Sequence, residues 1–244
     1  MSWREFFEKV RSMNTPIQTT PMIKHGVVMV SPPKNEEFVN VEPLDLTKVR
    51  FVKSPNRSVR KGNIKYIGIH HTGPGSYNGI IKWLCNSQAK ASAHYVVSTS
   101  GQITQLVDYD KYEAWHFGVA SWKGKKINNH GSIGIEIQNP GLLQKGADGC
   151  YYYEQGRNLK KYTGKVTPIS ASITYPDGRE LAGYAVPYPE EQISKVIALC
   201  KALVKKYPQI TAEDILAHYE VSQYRKNDPF GLDIDEMVTR IFSK

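Results

Sequence analysis

Ile64-Lys65-Tyr66-Ile67-Gly68-Ile69-His70-His71-Thr72 is an apolar segment of strand type that ends on two imidazoles. In an extended strand His70 and His71 point to opposite faces, so only one of them can reach a given site. A second segment, Ser132 to Gln138, alternates strictly. Ile133, Ile135 and Ile137 face one side, and Ser132, Gly134, Glu136 and Gln138 face the other. Between the two, Ser76 offers an N-cap for a helix that buries Ile80, Ile81 and Leu84. Ala93 to Ser98 and Ile103 to Val107 read as strands around the turn Ser100-Gly101. Downstream, Pro189 with Glu190 and Glu191 opens a helix whose apolar residues Ile193, Val196, Ile197, Cys200, Leu203 and Val204 keep helical spacing. Asp233 and Glu236 have capping-box spacing ahead of a last helix. Strands and helices alternate, so the expected class is α/β: a central mixed sheet flanked by helices, in a single domain. Side chains at the C-terminal ends of such strands border clefts, which is where His70 stands.

Working outward, residues 2 to 13 can form a short amphipathic helix docked on the core through Trp3, Phe6, Phe7 and Val10. Residues 14 to 63 are rich in proline and poor in periodicity, with one candidate strand at Gly26 to Val30. The expected division is 1–61, a helix and extended arm packed on the domain, and 62–244, the domain itself. Within the latter, 141–186 is an insert beside the cleft. It holds Tyr151-Tyr152-Tyr153, and Thr167 to Tyr175 followed by Pro176-Asp177-Gly178 suggests a hairpin. Its tyrosines either cover the core or stack on a sugar or peptide.

Of the 244 residues, 40% are apolar and 23% charged, enough to bury a core without disulfide staples. Cys85, Cys150 and Cys200 are odd in number and lack CxxC spacing, so free thiols are expected. The net charge of +9 attracts polyanions. It is scattered rather than gathered into a long run, which argues against a nucleic-acid arm. Charges interrupt the apolar patch at the N-terminus, so no signal peptide is expected, and no apolar run is long enough for a membrane span. A protein of this kind is made in the cytoplasm and is expected to work as a monomer.

Chemistry concentrates in three places. His70, His218 and Asp228 supply two imidazoles and a carboxylate, three ligands for Zn²⁺ that leave one position for water. His218 and Asp228 stand ten residues apart, too far to share a helix face. Pro229 biases Asp228 toward an extended backbone. Glu136 sits on the polar face of an otherwise apolar strand, where a carboxylate near such a water can act as general base.

These blocks resemble the zinc-dependent N-acetylmuramoyl-L-alanine amidases shared by AmpD-like enzymes, phage lysozyme-amidases and peptidoglycan recognition proteins. The resemblance runs from Ile64 to Phe230 in four blocks: Ile67 to Thr72; Ser92-Ala93-His94-Tyr95-Val96-Val97 with Gly101 to Val107; Ala114-Trp115-His116-Phe117-Gly118 with Ser132 to Ile137; and His218 to Asp228. The first fifty residues and 141–186 lie outside it. It implies His70 rather than His71 as ligand, and Asp228 where some members carry Cys. It implies Lys226 as the group that stabilises charge on a carbonyl oxygen. His116, His94 and Trp115 become substrate-side candidates, with packing as the alternative for the last two. The implied reaction is hydrolysis of the amide between N-acetylmuramic acid and L-alanine in peptidoglycan or muropeptides, with Zn²⁺ as cofactor. The setting would be that of a phage endolysin or a wall-degrading effector, with the protein reaching the wall after release. A non-catalytic wall-binding module and a cytoplasmic recycling amidase for 1,6-anhydro-muropeptides are the rival readings.

Overall fold

The computed structural model describes residues 28–29, 40–156, 158–222 and 225–243. The expected helix at 2–13 lies outside them. Six strands form the central sheet: β1 (Arg50–Phe51), β2 (Tyr66–His71), β3 (Tyr95–Val97), β4 (Ile103–Gln105), β5 (Ser132–Ile137) and β6 (Ile215–Ala217). Their order is β6-β2-β5-β3-β4-β1. β2 and β5 lie parallel at the centre, and β6, β3 and β1 also pair in parallel; only β3 and β4 run antiparallel.

The isoleucine alternation decides which way the sheet faces. Ile67, Ile69, Ile133, Ile135 and Ile137 are fully buried on one side. There they meet two helices, α2 (Glu190–Lys206) and α4 (Ile234–Phe242), through Val196, Ile197, Leu203, Ile234 and Ile241. Burial of these branched side chains is the main stabilising term, about 1.5–3 kcal/mol for each fully buried one. Pro189 caps α2 rather than occupying its first turn, and Asp233 Oδ1 accepts from Glu236 N–H at 2.8 Å to start α4. On the opposite face α1 (Tyr77–Leu84), capped by Ser76, packs Ile80, Ile81 and Leu84 on Val96 and Leu106.

Beside α1 the sheet carries no large side chain at two neighbouring positions, Gly68 of β2 and Gly134 of β5, which pair directly. A Cβ on Gly134 would stand 2.5 Å from His116 Cγ, and one on Gly68 2.5 Å from Phe117 Cζ. This glycine floor lets the His116–Phe117 segment lie flat on the sheet, one step below His70 and Glu136.

Residues 50–59 join the sheet system. β1 forms its edge, and Arg57–Val59 pairs with Tyr112–Ala114. The arm contributes one further strand, Val28–Met29, against the insert hairpin Ile169–Thr174 and Glu180–Ala185. Cys85, Cys150 and Cys200 are free thiols. No helix among the described residues is long and apolar enough to cross a membrane.

Candidate active site

β2 and β5 place His70 opposite Glu136 in register, on the same face and at the C-terminal end of both strands. His218 opens the single helical turn α3 (His218–Val221) directly after β6. Two bonds fix that turn: Glu220 Oε2 accepts from Ala217 N–H at 2.7 Å, and the Asp228 carbonyl accepts from Tyr219 N–H at 2.9 Å. Asp228 is thereby returned to His218 after the loop. His70 Nδ1, His218 Nδ1 and Asp228 Oδ2 converge, with separations of 2.9 Å, 3.0 Å and 2.9 Å.

The protons on the two imidazoles can be assigned from their outer partners. His218 Nε2 faces the Phe117 carbonyl at 3.1 Å, which can only accept, so the hydrogen is on Nε2 and Nδ1 is bare. For His70 the assignment runs through a relay. Ser132 Oγ–H donates to the Asn128 carbonyl at 3.1 Å, so its oxygen accepts from His116 Nε2–H at 2.9 Å. His116 Nδ1 is then bare and accepts from His70 Nε2–H at 2.9 Å. His70 Nδ1 is left bare as well.

Two nitrogen lone pairs and a carboxylate oxygen therefore point at one another within hydrogen-bond distance and with no hydrogen between them. That arrangement repels itself unless a cation sits at the centre. The donor set suits Zn²⁺, whose bonds of about 2.0–2.1 Å put tetrahedral ligands about 3.3 Å apart. These three residues form the group competent to hold a metal among the described residues.

Electrostatics keep the ligands in binding form. Burial and the neighbouring His218 push His70 down to about 4, so it stays neutral at physiological pH. Burial alone would raise the Asp228 carboxyl, but the neighbouring His218 and His70 outweigh it and hold it well below the carboxylate range. Glu136 behaves oppositely. Burial and the Asp228 charge raise it well above the usual value, with Lys226 pulling the other way. Glu136 Oε2 is shielded from water and has no hydrogen-bond partner among the described residues.

A groove of about 970 Å³ opens over these groups, lined by His70, His116, Glu136, His218, Lys226 and Asp228, with Trp83 and Trp115 along its rim. The structure thus brings seven of the eight sequence candidates to one cleft. His116 lines it while its Nε2–H bonds Ser132 Oγ. Trp115 lines it too, its Nε1–H donating to Ser58 Oγ at 2.8 Å. His94 is the eighth, and the structure places it elsewhere. It is fully buried in the sheet, Gly134 N–H donates to its Nδ1 at 2.9 Å, and the Arg60 guanidinium lies 3.1 Å from its Nε2. Burial, then Arg60, push it down to about 3. This is the packing role that the sequence left open for it. His71 occupies the opposite face from His70, as the alternation requires, and its Nδ1 accepts from Gly73 N–H at 3.2 Å.

Sequence reasoning missed Ser132, Gly68, Gly134 and Glu220. Ser132 was visible as a polar residue in register with Glu136, but its partner His116 comes from a loop whose path the sequence does not reveal. The insert contributes Gln155, Gly156 and Tyr175 to the groove.

Comparison with known proteins gives the family. A family model described as N-acetylmuramoyl-L-alanine amidase matches residues 60–231. N-acetylmuramoyl-L-alanine amidase AmiD of Escherichia coli (strain K12) is 28% identical over 173 residues, covering 68% of this chain and 49% of AmiD. The 1,6-anhydro-N-acetylmuramyl-L-alanine amidase AmpD of Haemophilus influenzae is 26% identical over 142 residues, 58% of this chain and 53% of AmpD. Among solved structures, the complex of E. coli AmiD with anhydro-N-acetylmuramic acid-L-Ala-D-gamma-Glu-L-Lys superposes with a TM-score of 0.52 at 27% identity, covering 77% of this chain and 58% of that one. The chain spans about half the length of these curated relatives.

Proposed function

The chain belongs to the N-acetylmuramoyl-L-alanine amidase family, and from that premise we propose that it hydrolyses the amide bond between N-acetylmuramic acid and the L-alanine of peptidoglycan. The observation that supports this most directly is the set of three bare donors on His70, His218 and Asp228, with the unpartnered Glu136 carboxyl beside them in an open groove. A binding module that only recognised the wall would have no use for either.

Zn²⁺ bound by His70 Nδ1, His218 Nδ1 and Asp228 Oδ2 would lower the pKa of water toward about 7 and polarise the scissile carbonyl. The Glu136 carboxylate takes a proton from the attacking water and returns it to the departing alanine nitrogen. The Lys226 ammonium lies on the groove wall and offsets negative charge on the carbonyl oxygen. His116 holds His70 by the relay and lines the groove that the substrate enters. Trp115 and Trp83, the latter 55% exposed, offer apolar walls.

Digestion of purified peptidoglycan, with and without a chelator, tests the proposal. Mass spectrometry should show free stem peptides beginning with L-alanine. They should disappear on chelation and fall roughly 10²–10⁴-fold in Glu136→Ala, the worth of a general base. Intact wall recovered with protein bound to it would sink the assignment. Running 1,6-anhydro-muropeptides beside intact wall separates the lytic role from the recycling one, since the AmiD complex holds an anhydro-muramoyl peptide.

A further inference from the structure

The insert does more than wall the metal groove. Its strand Tyr151–Gln155 pairs antiparallel with Asn158–Lys161. Tyr153 and Gln155 are two residues apart on that strand, so they share a face roughly 6.5–7 Å apart. Gln155 lines the metal groove, while Tyr153 lines a second cavity of about 330 Å³. Gly73, Pro74 and Gly75, the loop just after His70, bound both cavities. One loop therefore separates the second cavity from the reacting groups. Its size sits at the lower end of the roughly 300–1,000 Å³ typical of small-molecule sites.

The two cavities differ in charge. The metal groove carries histidines, carboxylates, Arg225 and Lys226. The second has no Asp, Glu, Lys, Arg or His among its lining residues. Tyr153 and Tyr162 are its aromatic lining residues, and Thr99 and Thr163 are its hydroxyl-bearing ones. The amides in its wall are spent on holding it together: Gln138 Nε2 donates to the Gly75 carbonyl at 2.9 Å, and Asn139 Nδ2 to the Val186 carbonyl at 2.9 Å. Aromatic faces, hydroxyls and the absence of charge select an uncharged, hydroxylated ring with apolar C–H faces.

We propose that the insert builds a saccharide subsite, which takes an N-acetylhexosamine of the glycan strand next to the sugar whose amide is cut. The identity of the sugar rests on the amidase reading. Within that substrate the glycan is neutral here, whereas the stem peptide carries carboxylates and amines that this cavity has no group to match.

The test is titration of the full chain with a neutral trimer of N-acetylglucosamine, followed by calorimetry, with the tripeptide L-Ala-D-Glu-L-Lys as the charged control. The trimer should bind, Tyr153→Ala should weaken it about tenfold through loss of the buried ring face, and Thr99→Ala should weaken it less. Glu136→Ala should bind it as wild type does. In hydrolysis, the KM advantage of a muramoyl peptide on a longer glycan over one on a single sugar should shrink about tenfold in Tyr153→Ala. No binding of the trimer, equal binding by wild type and both variants, or capture of the tripeptide instead would each overturn the subsite. Binding is read without hydrolysis, so a wild type that fails to cut muramoyl peptides refutes the amidase reading and leaves this arm legible.

Discussion

Ser132→Ala tests whether the metal site depends on a hydroxyl that touches no ligand. Ser132 Oγ is fully buried and gives His116 Nε2–H its acceptor. Without it that donor is orphaned, at about 1–3 kcal/mol. His116 can escape by carrying its proton on Nδ1, but Nδ1 faces His70 Nε2–H at 2.9 Å. His70 must then move its own hydrogen to Nδ1, the atom aimed at the metal. The cost of one lost hydroxyl is passed along two rings and appears as weakened metal binding. Removal of a group that orients a ligand histidine typically lowers affinity about 10–100-fold, equivalent to about 1.4–2.7 kcal/mol. Competition with a chromogenic chelator at neutral pH measures this directly, and unfolding in chelator measures the change in the metal-free fold. Zinc affinity should fall by that factor, while the metal-free protein loses no more than about 3 kcal/mol. A folded Ser132→Ala protein that binds zinc as tightly as wild type would refute the relay.

Gly134→Ala should destabilise by about 1–3 kcal/mol in urea unfolding and weaken zinc binding, because the new methyl displaces His116, which both its neighbours hold. Unchanged stability would mean that the ring is free to move. Acidification should destabilise the chelator-treated protein through His94. Its folded pKa, about 3, lies below the unfolded 6.5, so the stability present above pH 6.5 is lost as the pH falls toward 3. By pH 4.5 this one group accounts for about 3 kcal/mol, and His94→Gln should show a correspondingly shallower pH dependence of unfolding. Identical slopes would rule His94 out as the cause. Glu220→Ala orphans the buried Ala217 N–H ahead of His218. A loss of about 1–3 kcal/mol together with weaker zinc binding is expected, whereas stability loss at unchanged zinc affinity would show that the turn does not position the ligand.

The sheet was legible because its signals are local. The alternation through Ile133, Ile135 and Ile137 and the strand ending on His70 carry their own periodicity, and Ser76 and Asp233 announce the helices they cap. The convergence of His70, His218 and Asp228 was legible because residue type and order survive without any knowledge of the path between them. What stayed hidden depends on contacts between distant segments. His116 belongs to a loop, so only the glycine floor of two separate strands shows that it lies on the sheet. His94 looked like a site residue because a buried histidine satisfied by Gly134 N–H has the same letter as one that faces a cleft. The insert's cavity needs Tyr153 and Gln138 in one place, and no local pattern links them.

The three candidate metal donors are distant in the chain: His70 and Asp228 are separated by 158 positions, and the strand that precedes His218 pairs in parallel with the one that carries His70. Parallel pairing across such a span is among the last and slowest things a chain completes. No fragment that lacks His70 or Asp228 holds the whole centre. Capture of a metal by these three donors would therefore report that the parallel pairing of β6 with β2 has been made.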